Sequence, residues 1–330
     1  MCSSDLTHCF AVFKDGNPAC LPAARYKAIS RGRPRGKKGL YIFKSPDGIH
    51  WSLMHAEPVI TDGAFDSQNL AFWDAHAGVY REYHRTFTNG VRSIMTGTSK
   101  DFVHWSKPVL LKHPGTPHQH LYTNAILCYP RAPHILIGFP TRFLPKMGQR
   151  VEPTFMSSRD GEVFHRRLEA VIPETAPKDR SGNRSNYMTW GLVQLPGNDR
   201  EYSVYATEAY YTGPDSRVRR FSYRVDGFVS VGAPAGSGSL LTKPIRFSGK
   251  KLVVNFLTAK GGSVRIGLTD ASGKPIAGFS PDDSKPLVGD AIEQTIEWKA
   301  GSNVGSLAGT AVRLQVEFNN AELFSFAFRK

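Results

Sequence analysis

The chain has 330 residues, 40% of them hydrophobic and 21% charged, which suits a globular protein long enough to bury a large core in two domains. No apolar run approaches the roughly 18 residues of a membrane-crossing helix, so no membrane is expected as a partner. Lysine and arginine number 42 against 28 acids, a net charge of +14, so the surface attracts anions such as acidic polysaccharide.

Only Arg31–Lys38 (RGRPRGKK) is densely basic. Without interleaved aromatics or a known fingerprint, nucleic acid is not expected as a partner. The opening MCSSDLTHCFAVF lacks a basic stretch followed by an apolar one, so it is no signal peptide. It runs almost at once into a strand-like segment, His8–Phe13, as if the natural beginning were missing; a periplasmic or secreted location fits as well as any other. Cys2, Cys9, Cys20 and Cys128 have neither metal-ligand spacing nor the density of a disulfide framework. No cofactor and no metal are expected. His118-Gln119-His120 is a metal hint without a third ligand at compatible spacing.

An internal repeat organises the next two hundred or so residues. Ser45-Pro-Asp47-Gly48-Ile-His-Trp51 is echoed by Ser99-Lys-Asp101-Phe-Val-His-Trp105 and by Ser158-Arg-Asp160-Gly161-Glu-Val-Phe164, and more weakly by Tyr223-Arg-Val-Asp226-Gly227-Phe228. Each copy follows a β-like run, so each reads as a hairpin turn with an aromatic that packs the hairpin on its neighbours. Copies spaced by about 50 to 65 residues match the length of a four-stranded propeller blade.

The front halves of the repeats align too. A first strand begins in Asp66–Trp73, in Tyr122–Tyr129 and in Tyr187–Leu195. A second follows in Val79–Phe87, His134–Phe143 and Tyr202–Tyr210; His8–Phe13 and Arg25–Ile29 supply the same pair at the start. The stretch Thr61–Asp74 (TDGAFDSQNLAFWD) shows the construction most clearly, with polar residues at the mouth of a hydrophobic hairpin. In a propeller the first strand is innermost, and its start shares one end of the channel with the end of the second strand. Asp66, Gln68, Asn69, His84, Arg85, His120, Tyr122, Asn124, Arg142, Asn186, Trp190 and Glu208 are therefore expected to converge there, with Arg31–Lys38 on the same face.

From Gly232 the texture changes. Gly232–Ser239 (GAPAGSGS) reads as a flexible connector. Strand-like runs follow at Lys251–Thr258, Ser263–Thr269, Ile292–Lys299, Ala311–Asn319 and Leu323–Arg329. The expected fold is all-β: a propeller over residues 1–231, with about four blades present, then a small antiparallel β-sandwich over 232–330. Trp298 and Phe318 read as core of that sandwich.

The runs SPDGIHW, DGAFDSQNLAFWD, HLYTNAILCYPRAPH and FMSSRDG, followed by GSLLTKPIRFSGKKLVVNF, together resemble a bacterial group related to the N-terminal domain of glycoside hydrolase family 32. That resemblance implies a five-bladed propeller with a C-terminal sandwich, similar to the furanosidase propellers of families 32, 43 and 68 and to the agar-oligosaccharide hydrolases of family 117. It implies that the chain is a fragment lacking its first blade. The nucleophile or base aspartate carried by that blade then has no counterpart here.

Glycoside hydrolysis needs a carboxylic acid at the leaving oxygen and a second carboxylate opposite. Glu208, between Ala206-Thr207 and Ala209-Tyr210-Tyr211, is expected to be partly desolvated, which favours the protonated form a general acid uses. Asp66 resembles the aspartate that stabilises the transition state in such propellers, with Asp62 in reserve. Gln68, Asn69, His84, Arg85, His120, Asn124, Arg142 and Asn186 would bind hydroxyl or anionic groups of the sugar, and Tyr122 and Trp190 would stack on its ring. The plainer readings stand beside these: a strand cap for Asp66, an ion pair with an arginine such as Arg142 for Glu208, and structural hydrogen bonds for the histidines. The expected partner is a carbohydrate, with the basic loop pointing to a sulfated or uronate polymer. The alternative is a propeller that binds carbohydrate without cleaving it.

Overall fold

The computed structural model describes residues 8–172, 186–208 and 217–330. Cys2, the Ala209–Tyr211 flank of Glu208, the last residues of the expected Tyr202–Tyr210 strand and the Arg35 side chain lie outside the described residues. Those that are described form strands, irregular loops and short 3₁₀ turns, and fall into two compact units. One runs through Val193 and resumes over Val204–Phe221; the other comprises Gln194–Ser203 and the chain from Ser222 onward.

The first unit is a succession of antiparallel meanders. Strands β1 (His8–Lys14), β2 (Tyr26–Gly32), β3 (Gly39–Ser45) and β4 (Ser52–Leu53) pair in chain order, as do β5 (Leu70–Asp74), β6 (Val79–Thr88), β7 (Val91–Ser99) and β8 (Val109–Leu110). The third meander has its two inner strands broken. β9 (His120–Leu121) and β10 (Leu127–Tyr129) are two pieces of one strand, β11 (Ala132–Gly138) and β12 (Thr141–Leu144) two pieces of the next, followed by β13 (Arg150–Ser158) and β14 (His165–Ala170). Pro140 sits at the second break, where it has no N–H to give a ladder and its carbonyl accepts from Thr154 N instead. In a fourth meander Met188 bridges to Ala206 on β15 (Glu201–Glu208), which pairs with β16 (Arg217–Arg224). These sheets are propeller blades, each built outward from its first strand.

The repeated turn has a physical cause. Ser45, Ser99 and Ser158 each donate Oγ–H to the aspartate two residues on, at 2.9, 3.1 and 3.0 Å. Each aspartate then accepts two backbone N–H groups, as Asp47 does from Ile49 and His50, both at 2.8 Å. The turn needs a left-handed residue at its fourth position, filled by Gly48 (φ 80), Phe102 (φ 70) and Gly161 (φ 84). Phe102 tolerates that conformation because its ring is fully buried against Phe13, Tyr80 and Trp105. In the fourth copy the serine is missing, and Asp226 itself takes the positive φ of 59 while accepting from Ser325.

One apolar core joins the first three meanders: Phe13, Ile29 and Ile42 from the first, Phe72, Tyr83 and Ile94 from the second, and Leu121, Ile126 and Met156 from the third. Each such side chain contributes about 1.5–3 kcal/mol on burial. A strand with one exposed face would alternate polar and apolar. β6 is buried on both faces from Tyr80 to Arg85, so its polar side chains are accommodated by pairing. Arg81 Nε lies 2.7 Å from Asp74 Oδ2, and His84 Nδ1 lies 2.7 Å from Glu82 Oε2.

The second unit centres on one four-stranded sheet in the order β17 (Val231–Leu241), β20 (Val312–Arg329), β18 (Lys251–Asp270), β19 (Asp290–Thr295). The expected pairs of strands before and after Gly261 and Asn320 are single long strands, with a register shift between Thr258 and Ser263 where the sheet bends. Both halves of β18 and β20 contribute to one core, through Leu252, Val254, Ile266, Leu268, Val316 and Leu323, so the bent sheet closes on itself as a sandwich. Trp298 lies in that core and donates Nε1–H to Ile266 O at 2.7 Å.

Gly232–Ser239 is no connector. It belongs to β17 and pairs with β20 from Val231–Leu323 to Leu241–Gln315, with a bulge between Ala233 and Ser237. Its small residues have structural reasons. A Cβ at Gly232 would meet Ala321 O at 2.2 Å, and Gly236 takes a φ of 113 in the bulge.

Candidate functional site

A pocket of 570 Å³ opens in the first unit where the first strands of four meanders meet. Its wall comes from Cys9–Val12 on β1, Asp66–Leu70 leading into β5, Tyr122 and Thr123 after β9, Tyr187–Trp190, and Thr207 on β15. Of the expected site residues, Asp66, Gln68, Asn69, Tyr122 and Trp190 are brought together here.

Hydrogen bonds between meanders fix that wall. Ser67 Oγ donates to the Tyr122 carbonyl. Gln68 Oε1 accepts from Asn124 N at 3.2 Å and from Ala125 N at 2.7 Å, while Asn124 Nδ2 donates back to Gln68 O at 3.2 Å. Asn69 is fully buried and donates Nδ2–H to Phe65 O and Ser67 O, at 2.9 and 3.0 Å. Its Oδ1 has no protein partner among the described residues, which leaves an acceptor at the pocket wall. Trp190 donates Nε1–H to Ile126 O at 2.8 Å and packs near Phe72.

Asp66 stands at the rim with its side chain 68% exposed, and Arg31 Nη1 lies 3.0 Å from its Oδ1. The start of the basic loop therefore does reach this site. Lys37, further along, is paired with Glu57 at 2.7 Å. Cys9 beside Asp66 has its thiol pKa pushed up, by burial first and by the aspartate's charge second.

The other expected residues do not line the pocket. His84 is fully buried, with Nδ1 on Glu82 and Nε2 2.8 Å from the Asp62 carbonyl. Burial opposes its charge, yet the facing Glu82 carboxylate raises its pKa overall, while burial raises the pKa of Glu82 in turn. Arg85 is buried, donates to Ala64 O at 3.1 Å, and lies with Arg92 over the Tyr122 ring, at 5.4 and 4.6 Å from its centroid. His120 accepts from Arg92 N at 3.2 Å. Asn124 is spent on Gln68 and on Tyr83 O. Arg142 pairs with Glu152 at 2.5 Å, and Asn186 is buried.

Glu208 is fully buried, with Arg217 Nε 2.8 Å and Arg219 Nε 2.5 Å from its two oxygens. Alternation along β15 explains this: Thr207 lines the pocket, and its neighbour Glu208 turns into the protein.

Phe10, Thr123, Tyr187, Thr189 and Thr207 line the pocket without having been singled out from the sequence. The same alignment of inner-strand starts contains all but Thr207, and the parity of β15 would have pointed to that one. Among the described residues no group of three or more His, Cys, Asp or Glu side chains could hold a metal ion. Among the described residues the wall thus combines aromatic faces, hydroxyls and amides with one carboxylate, Asp66.

No family model matches the sequence, and no curated protein does. Among solved structures, the chain is similar to a β-1,2-mannobiose phosphorylase from Listeria innocua, at 11% identity and a TM-score of 0.48 over 66% of this chain and 58% of that one. It is similar to a thermostable family-43 glycoside hydrolase, at 14% identity and a TM-score of 0.47 over 66% of this chain and 72% of that one. A third is the family 32 β-fructofuranosidase of Bombyx mori, at 10% identity and a TM-score of 0.41 over 92% of this chain and 77% of that one. The chain spans less than two thirds of the phosphorylase, 58% of its length. What the pocket can do follows from its own residues.

Proposed function

We propose that the pocket is a sugar site and that the protein acts on a glycan, as a glycoside hydrolase of the family 32-like group. One observation carries the reading: four inner-strand starts, spread from Cys9 to Thr207, supply one cavity with aromatic, amide, hydroxyl and carboxylate side chains. Aromatic faces take the apolar side of a sugar ring while amides and hydroxyls take its polar edge. The propeller motifs of the sequence support the same class, and Arg31 at the rim supports an anionic glycan.

In this reading Asp66 is the carboxylate that faces the anomeric centre. Glu208 is the candidate proton donor; to serve it must leave Arg217 and Arg219 and turn from the interior to the Thr207 face of β15. The two must then stand about 5 Å apart for retention or about 6.5–9.5 Å for inversion. The burial and double ion pairing of Glu208 favour a second reading, in which the pocket binds a glycan without hydrolysing it.

Turnover and calorimetric binding over a panel of neutral, sulfated and uronate oligosaccharides test both. The hydrolase reading expects turnover that falls about a hundredfold or more in Asp66→Asn and in Glu208→Gln. Binding without turnover, abolished by Trp190→Ala, would select the second. Neither binding nor turnover by any glycan on the panel would sink both.

A further inference from the structure

A second cavity, of 200 Å³, lies in the same unit, lined by Arg92, Ser93, His113, His118, Gln119 and Arg166 among others. Among the described residues no aspartate or glutamate lines it. Arg166 is 5% exposed and finds only neutral acceptors: Gln119 Oε1 at 3.0 Å and Pro117 O at 2.9 Å, with Nε left without a partner among the described residues. Arg92 likewise has no partner at Nε, lies over Tyr122 and Phe143 at 4.6 and 5.3 Å, and approaches only the ring of His120 with Nη1.

Elsewhere among the described residues of this unit most buried charge is matched by an opposite charge, Arg85, which rests on Ala64 O and the Tyr122 ring, being an exception. Lys27 pairs with Asp15, Arg81 with Asp74, Arg142 with Glu152, and Glu208 with two arginines. An unmatched buried guanidinium is destabilising unless something compensates it. The neighbours aggravate the problem, because Arg142 acts on Arg166, and Arg166 and His118 act on His113, as like charges.

We propose that this second cavity is an oxyanion site, taking a tetrahedral oxyanion of the sulfate class between Arg166 and Arg92. Ser93 Oγ and His118 Nε2, 3.1 Å apart, stand at the same wall and can add hydrogen bonds to it. Guanidinium forks match such oxygens geometrically, and a doubly charged ion would offset both arginines at once. The ion is either free or an ester group on a larger ligand; the chemistry recognised is the same.

Thermal denaturation and calorimetry of the whole chain, in sodium sulfate against sodium chloride at equal ionic strength, test the proposal. Sulfate is expected to raise the melting temperature in a saturable way that chloride does not reproduce. Arg92→Gln and Arg166→Gln should each weaken sulfate binding by about tenfold or more. Arg166→Gln also loses its contacts to Gln119 and Pro117, so Arg92→Gln carries the test if that variant does not fold. Galactose 6-sulfate separates the sources: tighter binding than inorganic sulfate supports an ester ligand, and equal or weaker binding supports a free ion. Superimposable sulfate and chloride curves, or an undiminished sulfate response in Arg92→Gln, would overturn the site. Neutral sugars report on the first pocket alone, so the two proposals fail separately.

Discussion

Gln68 and Asn124 hold each other by an exchange of side chain and backbone: the Gln68 carbonyl oxygen takes the N–H groups of Asn124 and Ala125, and the Asn124 amide gives a hydrogen back to Gln68 O. The exchange ties the loop before β5 to the break between β9 and β10, both walls of the pocket. It also accommodates Ala125, whose φ of 42 is unusual for alanine. Gln68→Ala leaves two backbone N–H groups near the core without an acceptor and should lower stability by about 1–3 kcal/mol, read from urea denaturation. An unchanged midpoint would show that the exchange contributes nothing.

Phe102 sets two effects against each other. Glycine at this position would relieve a left-handed backbone by about 1 kcal/mol. Losing a fully buried ring costs about 3–5 kcal/mol, so the ring wins. Phe102→Gly should be destabilised, yet more stable than Phe102→Ala, which loses the ring and keeps the strain. The reverse order of the two variants in denaturation would refute this account of the turn.

His84 gives a pH signature. Its folded pKa lies above the ordinary value, raised by Glu82 against the opposing effect of burial. The contribution of the pair is therefore fully present below about pH 6.5 and is lost as pH rises through the higher folded value. Wild-type stability should decline from neutral toward alkaline pH. His84→Gln, which strands Glu82, should lose about 3–5 kcal/mol at pH 6 and show a flatter decline. Parallel pH profiles for the two proteins would falsify the pairing.

Trp190 is anchored by its indole N–H to Ile126 O, so its ring is positioned before any ligand arrives. Trp190→Ala should weaken glycan binding by about tenfold or more, while Trp190→Phe retains part of it. Affinity equal to wild type in Trp190→Ala would remove the ring from the sugar site.

Much of this was legible in the sequence. The Ser-x-Asp turns announced the hairpins because their hydrogen bonds are local, closing within a few residues of each serine. Asp66, Tyr122 and Trp190 could be placed at one mouth because propeller geometry turns repeat alignment into spatial proximity. What stayed hidden depends on neighbours distant in the chain. His84 and Arg85 look like rim residues on an alternating strand, yet β6 is covered on both faces. Glu208 and Thr207 differ by one position, and strand parity alone separates wall from interior. Gly232–Ser239 has the composition of a linker, and only the close approach of Ala321 shows why a paired strand there needs glycine.

The three turns locked by Ser45, Ser99 and Ser158 follow the third strand of their meanders, whereas the pocket gathers at the start of the first. Antiparallel order sets these at opposite ends of each sheet. The bonds that close these hairpins are thus physically separate from the pocket wall. A substitution among residues 66–70, or between 187 and 190, can redraw one side of the cavity without disturbing the bonds that close the hairpins, so new specificities are accessible one loop at a time.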